Sequence, residues 1–155
     1  IFPYTTIFRA AEKGQNVTAV DVAESDIDNM HTTAKNKGDQ INLIHSDIFD
    51  LCKLFNHTFD IVLEYTCFCA IDPVRRMDYV RMTNKILKPD GKLVALLFPI
   101  DKYINDKGPP YAVDLDSTIS LFSKYFILDT KEIPSLSIER RYGREVLVIF
   151  KKNGN

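Results

Sequence analysis

The chain has 155 residues, 45% hydrophobic and 26% charged, which suits one globular domain with a packed core and excludes a disordered tail. Its 20 Lys and Arg nearly balance 21 Asp and Glu, so charge offers no case for nucleic acid or an acidic membrane surface and a small molecule is the expected partner. Three cysteines are too few and too clustered for a secreted disulfide framework. With no run near the ~20 apolar residues that span a bilayer and no charged-then-apolar signal segment, they point to a cytoplasmic protein.

In chain order, Thr6 to Lys13 suits a helix that Gly14 stops. Val17 to Val20 is short, partly β-branched and apolar on both sides, as a strand covered on both faces would be, and it ends in Asp21. Ser25 is expected to cap a helix with Ile27, Met30 and Ala34 at helical spacing, closed by Lys37-Gly38. Ile41 to His45 reads as the next strand and leads into Ser46-Asp47-Ile48. Phe59 to Leu63 makes another buried strand that runs into Glu64, and Pro73 opens a helix reaching Leu87. Lys88-Pro89-Asp90-Gly91 is a turn, because proline presets φ and glycine tolerates positive φ. The strand Lys92 to Phe98 follows. A polar loop with Gly108-Pro109-Pro110 leads to Asp114, the expected cap of a helix to about Tyr125, and strands near 126–131 and 145–151 finish the chain.

Strands alternating with helices predict an α/β fold with a doubly wound, mostly parallel sheet. The last two strands have no helix between them and are expected to pair antiparallel. No repeat, low-complexity stretch or flexible linker marks a domain boundary.

Open α/β sheets bind ligands beyond the carboxyl ends of their strands, so residues just after each strand carry most weight. Asp21 has the position of an acid that accepts from ribose hydroxyls, with a helix cap or turn as the other reading. Asp47 is open to the same alternatives, an adenine contact or a turn.

The run Phe59-Asp60-Ile61-Val62-Leu63-Glu64-Tyr65-Thr66-Cys67-Phe68-Cys69-Ala70-Ile71-Asp72-Pro73 closely resembles the thiopurine, thiol and halide methyltransferase family. Matches in the same order are Ala11 to Asp21, Leu87 to Lys92, Leu96 to Pro99, Gly108-Pro109-Pro110-Tyr111 and Arg141-Tyr142-Gly143-Arg144-Glu145, and the resemblance covers about residues 10 to 151. It implies a Rossmann-like class I methyltransferase fold, where a flavodoxin-like or dehydrogenase-type sheet is the alternative. It implies S-adenosylmethionine as cofactor and a small methyl acceptor, in a protein that is monomeric when complete. By the same resemblance, Asp21 would hold the cofactor ribose, and Ser46, Asp47 and Ile48 would flank the adenine. Glu64, Tyr65 and Thr66 would line the junction of cofactor and substrate, Tyr65 being the best candidate to touch the nucleophile. Gly108 to Tyr111 would shape a loop over the substrate side, or be a plain rigid turn. The three acids Asp21, Asp47 and Glu64 are expected at one edge of the sheet.

Family members carry a glycine-rich loop before the first helix, and Ile1 to Arg9 contain no glycine there. These nine residues are read as foreign to the family, with the first strand and its loop missing. That would leave two strand edges unpaired and lower stability, and without the loop's backbone donors poor cofactor binding and little methyl transfer are expected of the chain as it stands. Attack on an activated sulfonium methyl needs alignment and removal of water more than a base, so no general base is nominated. Cys67 and Cys69 lack the second ligand cluster of a zinc site, and no metal is expected. Arg140, Arg141 and Arg144 read as a solvated face, with orientation of the final strands by pairing with Glu145 or Glu139 as the other reading. Two other classes are weighed against the transferase: a non-catalytic binding module, and a nicotinamide-dependent oxidoreductase that Asp21 would also suit.

Overall fold

The structure is a computed structural model that describes residues 4–101 and 107–154. Ile1, Phe2 and Pro3 of the segment read as foreign, and part of the polar loop before Gly108, lie outside the described residues. Packing divides the chain into two compact units, Ile1–Leu51 and Cys52–Asn155.

The first unit holds α1 (Tyr4–Glu12), β1 (Val17–Asp21), α2 (Glu24–Lys37) and β2 (Ile41–His45). β1 and β2 run parallel, in register from Val17 opposite Ile41 to Asp21 opposite His45. Such a pair needs a crossover, and α2 supplies it. Ile27 and Met30 of α2 bury against Ala19, with Ile7, Ile41 and Leu43 packed around them. Helix α2 begins earlier than expected. Its cap position is Ala23 with no side-chain cap, and Ser25 lies inside the first turn. The cause is Asp21, whose Oδ1 accepts from the Ala23 N–H at 2.9 Å and turns the chain before Ser25 is reached. Gly38, at φ 73°, closes the helix in the left-handed conformation that glycine favours.

A 3-10 turn (Ile48–Asp50) and a short helix, α3 (Leu51–Leu54), follow β2; neither is expected from the sequence. The second unit then carries β3 (Phe59–Tyr65), α4 (Arg76–Ile86), β4 (Leu87–Leu97), α5 (Leu115–Phe122), β5 (Phe126–Glu132) and β6 (Val146–Lys152). The strand order is β3-β4-β6-β5. β3 and β4 are parallel, and β6 lies antiparallel to both β4 and β5, which gives the closing pair the sequence predicts. Leu93, Ala95 and Leu97 of β4 and Val146, Val148 and Phe150 of β6 alternate with less buried neighbours, so one face of this sheet forms the core. Phe122 of α5 stacks on Phe150 at 4.8 Å and meets Phe68, Tyr79 and Phe126 in an aromatic cluster.

Three further expectations shift. β3 extends through Glu64 and Tyr65, so both candidates are strand residues. Pro73–Arg75 forms a 3-10 turn capped by the Asp72 side chain, and the α-helix starts only at Arg76. Lys88 to Gly91, expected as a turn, lie inside β4, and there Asp90 takes the positive φ (62°), not Gly91. Gly91 is needed for space instead, since a Cβ there would sit 2.9 Å from the Lys88 carbonyl oxygen and 3.3 Å from that of Asp60. The described residues form a parallel pair and a separate mixed sheet rather than one continuous sheet, and β1 and β3 each have a strand partner on one side only. Each sheet packs with helices of its own unit, α1 and α2 on the first and α4 and α5 on the second. Among the described residues no helix is long and apolar enough to cross a membrane.

Candidate functional site

In the first unit, the parallel register of β1 and β2 brings Asp21, Ser46, Asp47 and Ile48 to one end of the pair. The Ser46 N–H donates to the Asp21 carbonyl at 3.0 Å. Asp47 caps the 3-10 turn, its Oδ1 accepting from the Phe49 N–H at 2.9 Å. Asp21 does the same for Ala23, so each carboxylate spends one oxygen on a local turn, and the second oxygen retains its own acceptor capacity. The turn reading of both acids is observed, and each carboxylate keeps a second oxygen beyond its turn.

In the second unit, Glu64 is 2% exposed. Its Oε1 accepts from the Phe68 N–H at 2.8 Å, and Oε2 is buried with no hydrogen-bond partner among the described residues. Burial pushes its carboxyl up to about 7, opposed by the backbone donors of Phe68 and Cys67. Thr66 holds φ at 65°, a left-handed conformation that a β-branched residue rarely adopts and that tends to mark sites where backbone strain is retained for function. Its hydroxyl donates to the Tyr65 carbonyl at 2.6 Å. The Cys69 thiol donates to the Thr66 carbonyl at 3.3 Å, and burial, aided by the Glu64 charge, pushes that thiol up to about 11. Cys69 is thus a packing residue of the turn, not a nucleophile. Cys52, Cys67 and Cys69 are not joined in disulfides. Among the described residues no three His, Cys, Asp or Glu side chains gather as a metal site.

Arg141 overturns its reading as part of a solvated face. Its guanidinium carbon lies 4.8 Å from the Tyr65 ring and 4.6 Å from the Phe98 ring, a cation held between two aromatic faces. The side chain is only 19% exposed, and Nη1 stands 3.8 Å from Oε2 of the buried Glu145. That is close enough for an ion pair and too long for a hydrogen bond, so both atoms lack a hydrogen-bond partner among the described residues. Arg144 is exposed and pairs with Asp101 at 2.6 Å, and Arg140 is exposed, so the solvated reading fits these two better. Sequence reasoning missed Arg141 as a site residue. The available signal was the spacing Arg141-Tyr142-Gly143-Arg144-Glu145, in which Gly143 at φ 71° turns the chain and places the acid beside the cation.

The Gly108 to Tyr111 loop is fastened to this same end of the sheet. The Tyr111 N–H donates to the Cys69 carbonyl at 2.7 Å and the Val113 N–H to the Pro99 carbonyl at 3.0 Å. Ile100 N–H donates to the Arg144 carbonyl at 3.1 Å. The segments after β3 and β4, the loop and the 141–145 turn therefore form one connected rim at the carboxyl ends of β3 and β4.

A family model described as thiopurine S-methyltransferase matches residues 7–149. The chain is 30% identical over 144 residues to thiocyanate methyltransferase 1 of Arabidopsis thaliana, covering 88% of this chain and 60% of that protein. It is 35% identical over 100 residues to a probable thiol methyltransferase 2 of the same plant, covering 61% of this chain and 42% of that protein. The chain thus spans about 60% or less of the length of these curated relatives. Among solved structures, a SAM-dependent methyltransferase from Methanosarcina mazei superposes with a TM-score of 0.79 at 16% identity, covering 94% of this chain and 85% of that one.

Proposed function

This chain belongs to the thiopurine S-methyltransferase family, and on that premise we propose that it serves methyl transfer from S-adenosylmethionine to a small soft nucleophile: a thiol, thiopurine, thiocyanate or halide. The observation that carries the reading is Arg141, a partly buried cation held between Tyr65 and Phe98 at the strand end where the acceptor would lie. Such acceptors are anions, or thiols that become anions near pH 8.5.

Two polar features suit the cofactor. Asp21 keeps an oxygen beyond its local turn, and Glu64 holds a buried oxygen with no hydrogen-bond partner among the described residues, a costly arrangement in the absence of a ligand. When bound, S-adenosylmethionine supplies a sulfonium methyl already activated for attack. In the first unit, Asp21 would accept from the ribose hydroxyls, while Ser46, Asp47 and Ile48 flank the adenine. In the second, Glu64, Tyr65 and Thr66 would line the junction with the acceptor. The Arg141 charge favours the anionic acceptor, and the Tyr65 and Phe98 rings keep water from it. Burial holds both the Cys69 thiol and the Tyr79 hydroxyl above their usual values, so neither supplies a base at neutral pH. Three clustered cysteines, too few for a secreted disulfide framework, suit a reducing compartment, the cytoplasm.

The test is incubation of the chain with methyl-labelled S-adenosylmethionine and a panel of thiocyanate, iodide, an aromatic thiol and a thiopurine. Label in at least one acceptor is expected, at a low rate because the sequence leads one to expect weak cofactor binding. Cofactor binding without turnover of any acceptor would instead identify a non-catalytic module, and absence of both would reject the proposal.

A further inference from the structure

We infer that Arg76 is the positioning residue that fixes the acceptor-side loop, residues 108–113, against the turn after β3, and so sets the width of the acceptor site; this rests on the methyl-transfer reading above. Arg76 is the first residue of α4. Its guanidinium carbon lies 4.7 Å from the Phe68 ring, and its Nη2 donates to the Ala112 carbonyl at 2.9 Å. Three consecutive loop residues are thereby held by backbone groups. They are the Tyr111 N–H on the Cys69 carbonyl, the Ala112 carbonyl on Arg76 and the Val113 N–H on the Pro99 carbonyl. Of the three anchors, Arg76 alone is a side chain.

The arrangement is costly for a mere packing contact. Arg76 Nε is buried with no hydrogen-bond partner among the described residues, and burial lowers the stability of its charged form. The loop itself leaves no slack, because a Cβ at Gly108 would clash with the Tyr111 ring. Phe68, on which the guanidinium stacks, also donates its N–H to Glu64. The clamp therefore joins the loop to the turn that carries Tyr65 and Thr66. With it closed, a small anion would meet a fixed wall; with it released, the wall recedes and bulkier thiols lose less.

The experiment compares R76M, which keeps apolar packing on Phe68 and removes the donor, with R76K, which keeps a charged donor. In R76M the acceptor KM for thiocyanate or iodide should rise about tenfold, equivalent to about 1.4 kcal/mol. Cofactor affinity should stay within about twofold, and KM for an aromatic thiol should rise less. R76K should fall between R76M and the parent. Amide exchange at Tyr111 and Val113 should quicken in R76M. If R76M does not fold, G108A displaces Tyr111 from the loop side with Arg76 intact and should give the same KM signature. Unchanged acceptor KM together with unchanged exchange would overturn the inference. If the parent chain turns over no acceptor, the methyl-transfer reading fails, and exchange alone decides the clamp: faster exchange at Tyr111 and Val113 in R76M supports it, and unchanged exchange rejects it.

Discussion

At the ends of β1 and β2, Asp21 and Asp47 each bond a backbone N–H two residues on, whereas at the end of β3 Glu64 is buried with one oxygen unpartnered among the described residues. The same contrast holds for the cations. Arg144 is exposed and paired with Asp101, while Arg141 is enclosed by two rings and stands 3.8 Å from a buried carboxylate. The first unit presents acceptors that are stable without a ligand, the pattern suited to the polar ribose and adenine. The second holds an unpartnered carboxyl oxygen, suited to the cofactor, and a ring-enclosed cation, the pattern suited to desolvating a reacting anion.

The largest expected effect concerns Glu64 and stability. Its folded value, about 7, lies above the ordinary carboxyl value of 4.5. The fold therefore favours the neutral acid, and this contribution is full below pH 4.5 and is lost as pH rises through 7. The loss amounts to about 3 kcal/mol at 1.36 kcal/mol per unit. Denaturant unfolding of the parent and Glu64→Gln should give a difference curve that runs in the variant's favour between pH 4.5 and 7.5. A flat difference would mean that the Glu64 oxygen is solvated after all.

Next in size is Arg141→Met, which keeps an apolar side chain between Tyr65 and Phe98 and removes the charge. It should weaken binding of an anionic acceptor by about 2 kcal/mol, read as a rise in KM for thiocyanate, with cofactor affinity unchanged. Equal losses for a neutral acceptor would assign Arg141 to packing. The smallest effect is that of Tyr65→Phe. It keeps the aromatic face and should change acceptor turnover by a few-fold, within the range of about 1 kcal/mol for one hydrogen bond.

Much of this division is legible in the sequence. The strand ends at Asp21 and His45 follow from short apolar runs with a polar stop, and the antiparallel closing pair follows from two late strands without a helix between them. The Asp114 cap is also as expected, accepting from the Ser117 N–H at 2.9 Å. What escapes is long-range. Glu64 reads as a residue after the strand, because an acid interrupts the apolar pattern, yet its burial depends on the turn 66–70 folding back to donate the Phe68 N–H. The enclosure of Arg141 depends on Tyr65 and Phe98, which lie 76 and 43 positions earlier in the chain, so no local pattern reveals it. Arg76 clamps Ala112 across 36 positions for the same reason. Asp21 escapes in a smaller way, because its bond to Ala23 displaces the helix start that Ser25 suggests.

The division of labour is tested most directly by calorimetric titration of S-adenosylmethionine into Asp21→Ala and Arg141→Met side by side with the parent chain. Asp21→Ala should lose about 1.5–3 kcal/mol of cofactor binding, the range for hydrogen bonds to a charged group. Arg141→Met should bind the cofactor as the parent does. Unchanged affinity in Asp21→Ala, or a comparable loss in Arg141→Met, would contradict the assignment of ribose recognition to the β1–β2 end and acceptor recognition to Arg141 on the β3–β4 rim.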